Sequence, residues 1–209
     1  MISPAAAYDA LTVVEGLSSD GGRALDGEVQ AMCYLAFLLS LSAGEDPDFW
    51  GYAFVASDNA APFSGALEEA LSELSLTGLL AASGGRYSSA RSAQVRIKAW
   101  NTLSANRRRS PYLQAALGAA SAVSLPTLVR ALSLEPQLAR AETLRALRPL
   151  PDELGLPQLL EDLAEVDAVL ADQGLSKRDH RRPAYLLARA QLWLSYLSQL
   201  DSEVSPSPV

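Results

Sequence analysis

The 209-residue chain has a single cysteine and a single histidine, which leaves little from which to assemble nucleophilic or metal-binding chemistry. Cys33 lies inside the apolar run "AMCYLAFLLSLSAG", where a small buried thiol is expected and no disulfide framework can form. His180, in "SKRDHRRPAY", has no second histidine with which to complete a zinc set, nor the partners of a hydrolytic triad, and reads as a solvated link residue. Neither the P-loop nor the dinucleotide glycine pattern occurs. The acids Glu161, Asp162, Glu165 and Asp167 alternate with Leu159, Leu160, Leu163, Val166 and Val169, the pattern of an outer helix face and not of a divalent-ion site. These gaps argue against an enzyme, and no cofactor or metal is expected.

Long apolar runs are also missing. The longest is short of the roughly 20 residues that span a bilayer, and "MISPAAAYDALTVVEG" has no basic n-region but carries Asp9 and Glu15. A cytoplasmic protein with no membrane partner is the expectation. Cations are scarce in the front half: residues 1–85 hold 12 acids against the single base Arg23, a balance of −11, whereas residues 86–209 carry +4. Charge so polarised along a chain steers association with a partner of complementary potential and argues against the front half gripping a phosphate backbone.

What is abundant is helix-forming pattern. Tyr8, Leu11, Val14 and Leu17 predict a helix over residues 5–18 that ends at Gly21-Gly22. A second helix over 28–42, with Asp26 as its N-cap, is apolar nearly all round and belongs in the centre of a core. "DFWGYAFV" suggests a short strand, and Ser64 starts a third helix with Leu67, Leu71 and Leu74 on one face and Gly78 as its stop. "LLAAS" and "RYSSA" around Gly84-Gly85 predict a two-stranded wing with a tight turn. A helix then closes before "NRRRSP", and a new one starts at Pro111 after a Ser110 cap. Further helices are expected at 111–122, 125–134, 136–147, 156–173 and 183–200.

The fold class is therefore mainly α, with a winged-helix-like N-terminal half and short β-wing packed on an all-helical C-terminal half. Residues 1–105 form the winged-helix-like domain, 106–203 the helical domain, and 204–209 a flexible tail.

Two kinds of binding surface compete. The third helix presents Glu68, Glu69 and Glu73 and no Lys or Arg, so it should repel DNA and meet a protein. The last helix distributes apolar residues round much of its circumference, which offers Trp193 and Tyr196 as further protein-binding candidates. The candidates for nucleic-acid contact are Arg86 on the wing, Arg107, Arg108 and Arg109 in one basic run, and Lys177, Arg178, Arg181 and Arg182 in another.

The run "DFWGYAFVASDNAAPFSGALEEALSELSLTGLLAASGGRYSSA" resembles the winged-helix module of small bacterial accessory proteins: an aromatic strand, a Pro-Ser helix start, a Leu-rich helix, a Gly stop and a wing ending in a tyrosine. In this it looks like the middle components of ABC-three-component defence systems, Lamassu-type systems among them, and more distantly Panacea-type antitoxin domains and the kite subunits of condensin-like complexes. The resemblance covers about a quarter of the chain. It implies a non-catalytic subunit joining an SMC-like or Rad50-like ATPase to an effector. Other protein subunits are the expected partners, with nucleic acid secondary on the charge pattern above. The alternative is a DNA-binding winged-helix regulator or antitoxin.

Overall fold

The computed structural model describes residues 2–19, 21–56, 60–122, 124–175 and 180–204. The chain is mainly helical with two small sheets. Helix α1 (Pro4–Ser18) starts where the Ser3 hydroxyl accepts the Ala6 N–H and Pro4 supplies a preset first turn. A two-residue strand β1 (Ala24–Leu25) leads directly into α2 (Asp26–Ser42). Asp26, expected as the cap, is inside that helix instead. Leu25 occupies the cap position, and Glu28 reaches back to accept its backbone N–H at 2.7 Å. Nearly every side chain from Val29 to Leu41 is buried, as the absence of a polar stripe requires, so α2 is the central post of the fold.

After a 3-10 turn at Pro47–Trp50 come β2 (Phe54–Ala56), β3 (Pro62–Phe63) and α3 (Gly65–Leu76). The wing is present as β4 (Leu80–Ser83) and β5 (Arg86–Ser89), joined by Gly84 and Gly85, both with positive φ as an I′-type turn demands. Strand β5 pairs antiparallel with β4 on one side and with β1 on the other, giving the order β1-β5-β4. Then follow α4 (Arg91–Trp100), α5 (Ser104–Ala122), α6 (Leu125–Ser133), α7 (Pro136–Leu144), strand β6 (Arg148–Leu150), α8 (Leu156–Asp172) and α9 (Pro183–Val204). Among the described residues no single helix is long and apolar enough to cross a membrane.

Two local expectations fail, both because packing overrides sequence signals. Helix α4 closes at Trp100, before "NRRRSP", as expected, but the next helix does not start at Pro111 after a Ser110 cap; α5 begins at Ser104 and runs unbroken through Pro111. Proline there forfeits one backbone hydrogen bond, but Tyr112, Leu113 and Ala116 on the same helix are buried against the neighbouring helices. At Gly118 the chain comes so close to α9 that a Cβ would lie 2.8 Å from Leu187. The C-terminal half is also not wholly helical. Its strand β6 pairs antiparallel with β2, completing the order β3-β2-β6. That pairing crosses residue 105, and buried residues from Ala6 to Leu197 form one contiguous core.

The tie between α1 and α5 is a buried ion pair. Arg109 Nε and Nη2 donate to the two carboxylate oxygens of Asp9 at 3.0 and 2.6 Å, Tyr52 donates to the same carboxylate at 2.8 Å, and Arg109 Nη1 donates to the Phe49 carbonyl. The guanidinium lies 4.3 Å from the centre of the Trp50 ring, with Phe49 and Tyr52 also around it. Burial pushes the Asp9 carboxyl above its ordinary value, and Arg109 opposes that shift. A second buried carboxyl, Glu135, caps α7 by accepting the Leu138 N–H at 3.1 Å. It also accepts from Tyr34 of α2 and from Gln137, each at 3.0 Å. Burial raises its pKa, with the hydrogen bonds from Gln137 and Leu138 working the other way.

Two stability measurements follow from these sites. Arg109→Met leaves the Asp9 charge buried without a countercharge and is expected to cost about 3–5 kcal/mol in a urea titration, whereas Tyr52→Phe costs about 1 kcal/mol. Equal, sub-kilocalorie losses would mean that the pair does not hold α5 in place. For Glu135 the folded state holds the proton more tightly than the unfolded state. Its contribution is therefore favourable at low pH and is lost as pH rises from the ordinary glutamate value through the raised folded one. The destabilisation caused by Glu135→Gln should accordingly shrink as pH is raised above the ordinary glutamate value. A pH-independent difference in unfolding midpoints would contradict this.

Candidate interaction surfaces

Helix α3 buries Leu67, Ala70, Leu71 and Leu74 at three- and four-residue spacing, and α1 receives them. Its start is pinned from the core: Gln30 of α2 accepts the Ser64 N–H at 2.9 Å and donates to the Ser64 carbonyl at 3.3 Å. Ser64 holds the cap position expected of it, but its hydroxyl makes no capping bond. With one side fixed, the other is committed to solvent. Glu68, Glu69 and Glu73 are all exposed, as is Leu76 at 81%. The negative potential extends beyond the helix: the Asp26 carboxyl is raised in pKa by burial and then by Glu68. Tyr87 on the wing is raised by burial and by the same two acids. Wing and helix therefore share an anionic corner, with Arg86 exposed beside the hairpin turn.

The basic residues are distributed otherwise than expected. Arg109 is 2% exposed and ion-paired, so it cannot touch nucleic acid; it occupies the inward position of α5 while Arg107 and Arg108 face out. Arg108 lies over the Phe49 ring at 4.6 Å and pairs with Glu45 at 2.7 Å. Arg181, from the second basic run, pairs with the other oxygen of Glu45 at 3.3 Å, and Tyr112 donates to that oxygen also at 3.3 Å. Burial, then Glu45, pushes the Tyr112 hydroxyl up to about 12. The two runs thus converge on one carboxylate at the end of α2, with Arg182 exposed nearby in sequence and Asp46 and Asp48 exposed next to Glu45. Lys177 and Arg178 lie outside the described residues.

The two aromatic candidates on α9 separate. Trp193 is fully buried and belongs to the core, so it cannot be a partner contact; its turn of the helix faces inward. Tyr196 is 37% exposed and stands over a groove between α8 and α9, whose wall from α8 includes Asp162, Glu165 and Val169. A buried tie joins the same two helices: Arg189 pairs with Asp167 at 2.8 Å, and Tyr185 donates to the same carboxylate at 2.8 Å. Arg189 also donates to the Ser42 hydroxyl of α2.

Among the described residues no group of three or more His, Cys, Asp or Glu side chains is placed to hold a metal ion. Cys33 is buried, and burial, with Asp9 adding to it, holds its thiol well above the ordinary value, which disfavours the reactive thiolate. No family model matches the chain, and no curated protein and no solved structure matches it either. The Asp9–Arg109 and Asp167–Arg189 pairs were not anticipated from the sequence. Their signal was there in part: Asp9 sits beside Tyr8 and close to Leu11 on the apolar face of α1, where a carboxylate needs a partner.

Proposed function

We propose that this chain is a non-catalytic, protein-binding adaptor subunit of a bacterial multi-protein complex. In line with the resemblance of its Asp48–Ala90 segment, that complex is a cytoplasmic defence system against phage or plasmids built around an SMC-like ATPase and an effector. The observation that carries the adaptor reading is the solvent face of α3. Three carboxylates and one exposed leucine stand on a helix rigidly seated on α1, with no cation on the helix and a further carboxylate, Asp26, close to Glu68. An exposed leucine at the end of a stripe of carboxylates is a surface suited to a basic protein patch. The helix-helix-helix-hairpin order, with β1 pairing beside β5, supports reading the first half as a winged helix. In such a module α3 would be the element presented to a partner.

A second reading, a DNA-binding regulator or antitoxin, draws on the convergence of Arg108 and Arg181 at Glu45 and on the exposure of Arg86 and Arg107. Against it, Glu45, Asp46 and Asp48 offset that patch, Arg109 is unavailable, and the α3–wing corner is anionic.

Replacing Glu68, Glu69 and Glu73 together by lysine is expected to abolish co-purification with the products of neighbouring genes. The unfolding free energy should change by less than about 0.5 kcal/mol per exposed site. Retained co-purification would sink the assignment of this face. In parallel, the intact protein should leave duplex DNA unshifted at about 150 mM salt; a shift whose log affinity falls steeply with log salt, and which Arg86→Glu removes, would favour the second reading.

A further inference from the structure

The groove between α8 and α9 is walled by side chains three and four residues apart on both helices: Asp162, Glu165 and Val169 from α8, and Leu192, Tyr196 and Gln199 from α9. That spacing is the stripe a helix presents to a third helix lying along it. Its cavity is about 200 Å³, below the roughly 300–1,000 Å³ of small-molecule sites, and so suits an anchoring side chain better than a ligand. The surface is apolar where it should be wet: Val169 is 44% exposed and Tyr196 37%.

Charge selects the occupant. Helix α8 carries five acids, Glu161, Asp162, Glu165, Asp167 and Asp172, and no Lys or Arg. Asp167 is buried and taken up by Arg189 and Tyr185. Asp162, Glu165, Val169 and Asp172 follow one another at three- and four-residue steps, so the acids flank the exposed valine along a single edge. Among the described residues none of Asp162, Glu165 and Asp172 is in an ion pair, and Asp162 only accepts from Gln158 at 2.9 Å. The chain's own cationic helix, α4, with Arg91, Arg96 and Lys98, cannot serve from a second copy, because Ala93, Ile97 and Trp100 already pack its apolar side into the core.

We propose that this groove receives one amphipathic helix of a partner protein, with an apolar ridge seated on Val166, Val169, Leu192 and Tyr196 and Lys or Arg residues along the flank that meets α8. The proposal rests on the adaptor reading but uses a different surface from α3, so the two can fail separately.

The test titrates the full-length protein into two fluorescein-labelled synthetic helices of about 18 residues, five turns long. Both have the same leucine ridge; one has lysine flanks and the other glutamate flanks. The leucine-lysine helix is expected to bind and the leucine-glutamate helix not to. Val169→Asp, which adds negative charge but removes the apolar seat, should weaken binding at least about tenfold, as should Glu165→Lys. Lysine at Glu68, Glu69 and Glu73 should leave the affinity within about twofold. Tyr196→Ala provides a second apolar variant should Val169→Asp fail to fold. The proposal is overturned if neither helix binds, if both apolar variants bind as the native protein does, if the α3 variant is the one that loses binding, or if light scattering shows that the groove is closed by self-association that Val169→Asp disrupts.

Discussion

The buried pairing of Asp9 with Arg109 is the constraint on which the rest of this structure depends. A charge taken out of water is tolerated only if its partner is fixed with good geometry, and here both oxygens and two guanidinium nitrogens are used, with Tyr52 and the Phe49 carbonyl completing the shell. Because these groups come from α1, α5 and the aromatic segment after α2, satisfying the pair sets the relative placement of all three. It also anchors α5 just ahead of its proline: Arg109 lies two residues before Pro111 and is held at both ends of its fork.

Two further buried carboxylates repeat the logic with different solutions. Asp167 is given a guanidinium from α9 and a phenol, which ties α8 to α9 and α9 to α2. Among the described residues Glu135 has no such cation in its shell; it is held by a phenol, an amide side chain and a backbone N–H, and burial raises its pKa against those hydrogen bonds. Each fastens an outer element to the central α2 or its neighbours, so the helical second half is joined to the first by polar anchors within a continuous apolar core.

The surface follows from what the interior consumes. The arginine best placed for an outward role by its neighbours, Arg109, is spent inside, and Arg108 and Arg181 share Glu45. The acids of α3 and of the α8 edge have no such partners among the described residues, and neither helix carries a cation of its own. A chain with net charge −7 thereby shows its negative charge in organised faces, one beside the wing and one beside an apolar groove. Such faces give orientation and partner choice more readily than raw affinity.

Local signals in the sequence were sufficient for the helices, the Gly84-Gly85 hairpin, the stop at Gly78, the all-round burial of α2 and the exposure of Glu68, Glu69 and Glu73. Helices and tight turns satisfy their backbone groups within a few residues, and the apolar period states which side is covered. Everything decided at long range needed the tertiary structure: that α5 continues through Pro111, that Arg109 turns inward while Arg107 does not, that Arg-Pro-Leu at 148–150 becomes an edge strand, and that Trp193 is core while Tyr196 stands at a groove. These outcomes depend on partners remote in the chain, Asp9 for Arg109 and Phe54–Ala56 for β6, and a local pattern holds no information about which remote group will arrive.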